Sequence, residues 1–351
     1  MMATRVGDRD SEPGARNSGA RPAGSGVPPL EPRAPEGGGQ AGEPAGHPLS
    51  ERSLIRHRLE RVFLRGALGI LKLLPRGAST GLGRATSRFF FLFSGSRRRI
   101  LRENLTRAFP EKSGSEIRQI ARECAGNLGA AFMEFLESSR LTREEILSRV
   151  TLAGEEHFAA ARARRKGVFL LSAHFGSWEI GAIRAGLIAG PISSVVRPLD
   201  NPLLEEELEY RRTRFGNRVI RKKEAAREIL RAIRGNETVA ILVDQNVLAE
   251  EAVFVPFFGR PAATTPSLAL LQMKTDAAVV PVFTWPLGRG RYRLQFEKPI
   301  LAQEFAAAGA GREERVLSAT QRFMAVTECA IRGNPAAWLW MHNRWRTRPP
   351  R

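Results

Sequence analysis

At the point that decides its fold, the chain reads Val168-Phe169-Leu170-Leu171-Ser172-Ala173-His174-Phe175-Gly176-Ser177-Trp178-Glu179. The first four residues form a short apolar run, which is typical of a strand buried in a sheet. A helical pattern then begins near Trp178, and Ser177 stands where a side chain can cap its first turn. A buried strand that leads directly into a helix is the repeating unit of a parallel α/β sheet.

The same alternation continues towards the C-terminus. Further strands are predicted at residues 194–196, 239–243 and 279–283. Helical patterns occupy residues 178–188, 203–214, 225–234 and 267–274. Residues 291–296 alternate polar and apolar side chains, as an edge strand does. These patterns predict an α/β fold with a mostly parallel central sheet covered by helices.

The N-terminal part of the chain does not show this alternation of strands and helices. Residues 1–50 are rich in Gly, Pro, Ala, Arg and Glu and have no continuous apolar core. They are predicted to be a disordered tail and not a signal peptide, because they cannot bury enough apolar surface. Residues 98–137 indicate helices around a break at Phe109-Pro110, and their apolar positions 128, 131, 132, 135 and 136 predict a core face.

Two apolar clusters between residues 51 and 100 predict helices that associate with a membrane. Residues 62–74 are interrupted by Arg65 and Lys72 and end before Pro75, while residues 89–93 precede Arg97-Arg98-Arg99. A spanning helix needs about 20 mostly apolar residues, so an interfacial helix or a shallow hairpin fits better. The arginines would meet anionic headgroups. The alternative is that both helices pack on the protein's own core.

Charge and cysteine content narrow the possible partners. The net charge of +19 favours nucleic acid, anionic lipid or an acidic protein. Nucleic acid is the weakest of these, because the aromatic residues lie in apolar runs and are not interleaved with basic ones. Cys124 and Cys329 form no CxxC motif and no histidine lies in an HExxH motif, so no metal, cofactor or disulfide framework is expected. Two isolated cysteines fit a reducing compartment.

The residues best placed for chemistry are His174 and Glu179. In open α/β sheets, active residues gather beyond the carboxyl ends of the strands, where His174 is expected. A neutral imidazole can take a proton from an alcohol, and a carboxylate on its other nitrogen fixes the tautomer. No serine or cysteine has a triad-like signature, which favours direct attack by a substrate hydroxyl. The alternative is a core histidine beside an unrelated carboxylate.

Polar groups are also expected at other strand ends. Arg197 follows the strand at 194–196 and can clamp a phosphate, although a surface ion pair is equally compatible. Asp244 and Gln245 end the strand at 239–243. Residues 255–264 are predicted to be a loop, and Gly259 with Pro261 suggests a shape that lets a chain segment approach closely.

Taken in order, these segments resemble the lipid A biosynthesis (late) acyltransferases, which are membrane acyltransferases with a His-x4-Asp/Glu motif. The resemblance covers roughly residues 55 to 349. The segments that carry it are Arg99-Ile100-Leu101-Arg102-Glu103-Asn104-Leu105 with Phe109-Pro110, His174 to Glu179, Arg197-Pro198 with Asn201-Pro202, Asp244-Gln245, Pro256-Phe257-Phe258-Gly259 with Thr264, Val280-Pro281-Val282, and Pro335 to Pro349. Each segment is weak alone, but their order and spacing are specific.

The resemblance implies a function and a site. His174 would be the general base and Glu179 its orienting carboxylate, within an acyltransferase domain at 101–351. The donor would be a fatty acyl chain on acyl carrier protein, and the acceptor a hydroxyl of a lipid A precursor. An alternative acceptor is another anionic glycolipid or phospholipid, such as a phosphoinositide mannoside. The expected location is the cytoplasmic face of the bacterial inner membrane. The expected substrate-binding residues are Arg197, Asn201, Asp244, Gln245, Gly259 and Thr264.

The closing segment is rich in tryptophan and arginine. Trp338, Trp340 and Trp345 are expected to pack back on the sheet, since buried tryptophans contribute large apolar area. Arg344, Arg346 and Arg348 are expected to face lipid phosphate or solvent.

Overall fold

The computed structural model describes residues 51–73, 78–221, 225–306, 309 and 311–350. The tail predicted at residues 1–50 and the stop predicted at Pro75 lie outside the described residues. Helices lead into the sheet in the order α1 (Glu51–Leu73), α2 (Ala78–Phe93), α3 (Gly95–Ala108), α4 (Gly114–Glu137) and α5 (Arg143–Arg149). The break predicted at Phe109-Pro110 is confirmed, and α4 begins with a capping box formed by Ser113 and Glu116.

Strands and helices then alternate. They are β1 (Val150–Ala153), α6 (Glu155–Ala163), β2 (Val168–Ser172), α7 (Trp178–Ala189), β3 (Ile192–Val196), α8 (Pro202–Thr213), β4 (Arg218–Arg221), α9 (Ala225–Arg234), β5 (Thr238–Leu242), β6 (Val253–Phe257), β7 (Arg260–Thr264), α10 (Ser267–Thr275), β8 (Ala278–Gly288), β9 (Arg291–Phe296) and α11 (Arg312–Gly333). The predicted alternation of strands and helices is therefore confirmed.

The described strands form a seven-stranded sheet in the order β1-β9-β8-β2-β5-β3-β4. All neighbouring pairs are parallel except β8 and β9, so the sheet is mainly parallel as predicted. The prediction of an edge strand at β9 is wrong, because β9 lies between β1 and β8. The polar and apolar residues of β9 alternate because only one face of the strand is covered, with Tyr292, Leu294 and Phe296 buried. Such alternation does not indicate whether a strand lies at the edge of the sheet.

Helices cover both faces of the sheet. In β2, Leu170 points into a core shared with Ile183 of α7, whereas Phe169 points into a second core shared with Ile229 of α9 and Met324 of α11. We call the first side the α7 face and the second side the α9 face. Because successive side chains of a strand point to opposite faces, the two cores follow from the almost fully apolar β2.

The segment predicted as a loop at residues 255–264 is instead the antiparallel hairpin of β6 and β7. Phe258 and Gly259 form its two-residue turn, with φ values of 50° and 68°. A turn with two positive φ values matches the twist of a hairpin, which explains the glycine. The predicted close approach at Gly259 is wrong, because a Cβ built there would meet no atom within 4 Å.

Several large apolar side chains of α2 and α4 are exposed. In α2, Phe89, Phe90, Leu92 and Phe93 are 58 to 74% exposed. Phe132 of α4 is 52% exposed, so its predicted place in a core face is wrong, although the core face holds for Phe135. Within the described ranges, no helix has the combination of length and apolar character that a bilayer crossing requires.

Candidate functional site

Strand register brings His174 and Asp244 together. In the parallel pair β2–β5, Ser172 lies opposite Leu242. His174 and Asp244 each stand two residues beyond this pair, so both leave the sheet at the same place. Both residues were predicted at strand ends, but their pairing was not predicted from the sequence.

Asp244 holds His174 through two hydrogen bonds. The imidazole Nδ1 lies 2.9 Å from Asp244 Oδ1, and the backbone N–H of His174 donates to Oδ2 at 2.9 Å. The indole Nε1–H of Trp338 donates to the same Oδ2 at 2.7 Å. Asp244 is 2% exposed, so these donors replace the water that a carboxylate would otherwise bind. A carboxylate on Nδ1 leaves the lone pair of Nε2 free to accept a proton.

The pKa values of this pair move in opposite directions. Burial raises the pKa of Asp244, but the charge of His174 and the hydrogen bonds that Asp244 accepts from His174 and Trp338 bring that pKa down to about 2. Burial lowers the pKa of His174, but the charge and hydrogen bond of Asp244, followed by the charge of Glu179, leave it above its usual value. Asp244 is thus ionised across the working range, while His174 titrates above its ordinary pKa.

Glu179 has a different partner from the one expected. It lies in the first turn of α7, where its carboxylate accepts from Arg212 of α8 at 2.7 Å and 3.1 Å. Among the described residues, Nδ1 of His174 is held by Asp244 and not by Glu179. The orienting contact assigned to Glu179 is therefore made by Asp244, because strand register places a carboxylate beside the ring. The negative charge of Glu179 still acts on His174.

His174 opens into a cavity of about 960 Å³. That volume is within the range of ligand-binding cavities. Glu179, Arg197, Arg212 and Gln245 line the same cavity. Gln245 is exposed, and its side-chain nitrogen lies 3.4 Å from His174 Nε2. The predicted residues His174, Glu179, Arg197 and Gln245 thus surround one space.

The cavity reaches both faces of the sheet. On the α7 face the helix presents small residues, Gly181, Ala182 and Ala185, opposite Ala240 of β5. Small side chains across this layer leave a slot, which Leu170, Ile192, Val282 and Leu294 also line. The hydroxyl groups of Ser172, Ser194 and Thr284 lie in the same lining, so the slot is mostly apolar. On the α9 face the lining includes exposed Lys274 and Arg312. The lining on the α9 face is otherwise largely apolar, with Val195, Ile229, Ile241 and Leu271, so the two faces differ in the cations at the rim.

Arg197 lies on the cavity wall with an exposed side chain. The surface ion pair considered for it is not formed within the described ranges. An unpaired guanidinium beside a cavity is available to a phosphate, which its planar fork can bind bidentately.

The remaining predicted site residues have structural contacts. Asn201 caps α8 by accepting from the Leu203 N–H, and its amide nitrogen donates to Glu60 of α1 at 2.6 Å. Thr264 is 1% exposed, and its hydroxyl accepts from Arg344. Gly259 lies at the hairpin turn. None of the three lines the cavity among the described residues.

The C-terminal segment packs into the molecule. Trp338 and Trp340 are buried, as predicted. The prediction that Arg344 faces lipid or solvent is wrong, because this side chain is fully buried and donates to Ala263 O and Thr264 Oγ1. Burial lowers the pKa of Arg344 to about 10. Arg346 and Arg348 are exposed.

Two residues of the site were missed from sequence. Arg212 stood in the basic run at residues 211–214, which resembles an ordinary solvated helix face. Trp338 was assigned to packing only. Of these two residues, only Arg212 could have been identified from the sequence. It lies on α8, which follows the next strand after α7, and a cation on such a helix can reach the first turn of α7.

Comparison with known proteins gives a family. The family model described as “Bacterial lipid A biosynthesis acyltransferase” matches residues 52–347. The match therefore spans the N-terminal helices, the sheet and the C-terminal segment.

Individual relatives agree with this match. The lipid A biosynthesis lauroyltransferase of Escherichia coli (strain K12) is 27% identical over 287 residues, which is 81% of this chain and 90% of that protein. A lipid A biosynthesis acyltransferase of Haemophilus influenzae is 30% identical over 277 residues, 74% of this chain and 83% of that protein. The lipid A biosynthesis palmitoleoyltransferase of Escherichia coli (strain K12) is 28% identical over 292 residues, 80% and 90% respectively. The similarity thus extends along most of each relative.

Proposed function

Because this chain belongs to the bacterial lipid A biosynthesis acyltransferases, we propose that it transfers a fatty acyl chain from acyl carrier protein to a hydroxyl of a lipid A precursor. The observation that carries the mechanism is the position of His174. Its Nδ1 is held by buried Asp244, while its ring borders a cavity that can hold both substrates.

In the proposed reaction, His174 Nε2 removes the proton from the acceptor hydroxyl. The hydroxyl oxygen forms a bond to the thioester carbonyl carbon of the donor, and the carbon–sulfur bond breaks. The sulfur leaves with the proton that His174 had taken, so the products are an ester and a free thiol. Asp244 stabilises the imidazolium that exists between these two proton transfers.

We propose that Glu179 completes the catalytic pair through its charge and not through a hydrogen bond to the ring. Its carboxylate raises the pKa of His174, and Arg212 fixes it at the cavity wall. A second negative charge near the imidazolium lowers the free energy of the charged intermediate.

We propose that the acyl chain occupies the apolar slot on the α7 face. A hydrocarbon gains free energy there because it leaves water, and the hydroxyl of Ser172 in the lining keeps its hydrogen bond to the carbonyl of Val282. The relatives named above transfer different acyl groups, lauroyl and palmitoleoyl. The length of the slot and not the family therefore sets the chain length in this protein.

Charge supports the proposed partners. Acyl carrier proteins are acidic, and a net charge of +19 would speed their encounter. Arg197 would hold a phosphate of the acceptor. The rate at low substrate concentration should fall as salt is raised, because salt screens long-range attraction.

We propose that α2 lies in the cytoplasmic leaflet of the inner membrane. Its exposed Phe89, Phe90 and Phe93 would enter the leaflet, and Arg97 to Arg99 would meet headgroup phosphate. In flotation with vesicles of anionic phospholipid, replacing the three phenylalanines with Ser should release the protein. Leu317→Ser on α11, which is 41% exposed, should not. Equal flotation of both variants would contradict membrane contact through α2.

The function is tested by mass spectrometry of lipid A from cells with and without the gene. Loss of the gene should lower the mass of lipid A by one acyl group, and the size of the loss gives the chain length. Wild type should restore the mass and His174→Ala should not. His157→Ala on α6 should restore it, because His157 lies outside the cavity lining. Unchanged lipid A with an altered anionic glycolipid or phospholipid would favour the alternative acceptor.

A further inference from the structure

Residues 335–347, which we call the C-terminal strap, bind the loop that carries His174. Leu339 N–H donates to the carbonyl of His174 at 3.2 Å. Gly176 N–H donates to the carbonyl of Ala337 at 2.8 Å. These two bonds lie on either side of Phe175, so the strap fixes the backbone around the proposed base.

The same strap binds the loop that follows Asp244. Asn246 N–H donates to His342 Nε2 at 2.8 Å, and Asn246 Nδ2–H donates to Thr347 Oγ1 at 2.9 Å. Burial lowers the pKa of His342, which keeps its Nε2 unprotonated and able to accept. The strap therefore joins two loops that are 70 residues apart in sequence.

Trp338 lies between these two attachments. Its indole N–H donates to Asp244 Oδ2 at 2.7 Å, and the ring is 1% exposed. If Trp338 served packing alone, any hydrogen-bond acceptor would satisfy its N–H. Here the acceptor is the buried carboxylate that contacts His174. Oδ2 receives only one other donor among the described residues, the backbone N–H of His174.

We propose that Trp338 is a positioning residue for acyl transfer, which acts through Asp244 to aim and tune His174. This inference rests on the proposed function of His174 as the base. The indole N–H withdraws charge from Oδ2, so Oδ1 binds the imidazolium less tightly. Without this N–H, Asp244 would also lose one of the three hydrogen bonds that hold its carboxylate beside the ring.

The strap supplies a matched control in Trp340. Its ring is also buried, but its Nε1–H donates to the carbonyl of Pro335 at 2.7 Å. The two indole rings meet edge to face, with centroids 4.6 Å apart. Trp338→Phe and Trp340→Phe therefore remove a similar volume from one core, and only Trp338→Phe removes a donor from Asp244.

The test compares kcat, KM and the pH dependence of kcat/KM in both variants, with thermal unfolding as the measure of folding. Trp338→Phe should lower kcat by about 10- to 100-fold, the effect of one hydrogen bond to a charged group, with little change in KM. The acidic limb of its pH profile should move to higher pH, because Asp244 then stabilises the protonated imidazole more strongly. Trp340→Phe should leave the limb in place. Equal kcat losses with unmoved limbs would show that Trp338 is structural only.

Two further measurements separate the possible failures. In an Asp244→Asn background, Trp338→Phe should cause no further loss of kcat, whereas an additive loss would overturn the inference. In protein labelled with 15N-Trp, one of the five indole N–H signals should differ in chemical shift between wild type and Asp244→Asn. This comparison does not depend on the stability of Trp338→Phe. No shift would also overturn the inference. An active His174→Ala would instead remove the proposed function itself.

Discussion

Two carboxylates raise the pKa of His174, but they differ in burial, in their hydrogen-bond partners and in their distance from His174 along the chain. Asp244 is buried behind the ring at the end of β5 and is bound by His174 and Trp338. Glu179 lies on the cavity wall in α7 and is bound by Arg212. Asp244 is 70 residues from His174 along the chain, whereas Glu179 is five residues away in the motif.

This difference shows what a local motif conveys and what it leaves out. The spacing of His174 and Glu179 places both at one cavity, but it does not determine which carboxylate contacts the ring. Sheet register determines that, because β2 and β5 are parallel neighbours that end together. In the proposed mechanism, Asp244 orients the base His174, and Glu179 adds negative charge beside it.

The largest difference between the two carboxylates should appear in the rate. Asp244→Asn should lower kcat by about 10³- to 10⁴-fold, because an amide can hold the imidazole in the wrong tautomer. Activity should be measured with acyl carrier protein thioester and lipid A precursor, and folding by thermal unfolding. Activity close to wild type in a folded Asp244→Asn protein would contradict the role assigned to Asp244.

Glu179→Gln should lower kcat less, by about 100-fold, which corresponds to about 2.7 kcal/mol of lost charge stabilisation. The isosteric amide keeps one acceptor for Arg212 but removes the charge. The same assay applies, with Glu156→Gln on the surface of α6 as the control. A loss larger than that of Asp244→Asn would reverse the assigned roles.

Acyl-chain preference should respond to the slot and not to either carboxylate. Ala185→Leu fills part of the apolar slot on the α7 face, so it should favour shorter chains by about tenfold, the effect of one or two methylene groups in a pocket. Competition between donors of different length measures this ratio. An unchanged preference would mean that the chain lies elsewhere in the cavity.

Arg197 and Asn201 were predicted together, but the structure separates them. Arg197→Gln should raise KM for the acceptor by about tenfold without changing kcat, since it removes a contact made before and during reaction. Asn201→Ala should lower stability by about 1 kcal/mol through the lost cap and leave KM unchanged. Chemical denaturation and steady-state kinetics on both variants test this. An equal rise in KM in Arg197→Gln and Asn201→Ala would indicate that Asn201 also contacts the substrate.

Much of the fold follows from the sequence because the central strands are buried on both faces. Runs such as residues 168–171 are apolar throughout, and only a covered parallel sheet tolerates that pattern. The places where prediction failed are those where pairing is not local. β9 looked like an edge strand because its partner β1 is short and distant in sequence, and the hairpin of β6 and β7 looked like a loop because of its prolines.

The site was predictable in position but not in contacts. Strand ends located His174, Arg197 and Gln245, because the carboxyl edge of a parallel sheet is where polar loops converge. The contact from Asp244 required the order of strands in the sheet. The contact from Trp338 required the path of the C-terminal segment, which no local pattern encodes.

If Asp244 raises the basicity of His174 more strongly than Glu179 does, the pH dependence of kcat/KM should show it. His174 must be neutral to accept a proton, so activity should rise with pH through a value above the usual histidine pKa and then level off. Both carboxylates raise that pKa, and Asp244 contributes most. The limb should therefore move to lower pH in Asp244→Asn, and less far in Glu179→Gln. A limb that stays in place in Asp244→Asn, or that moves further in Glu179→Gln, would contradict the account.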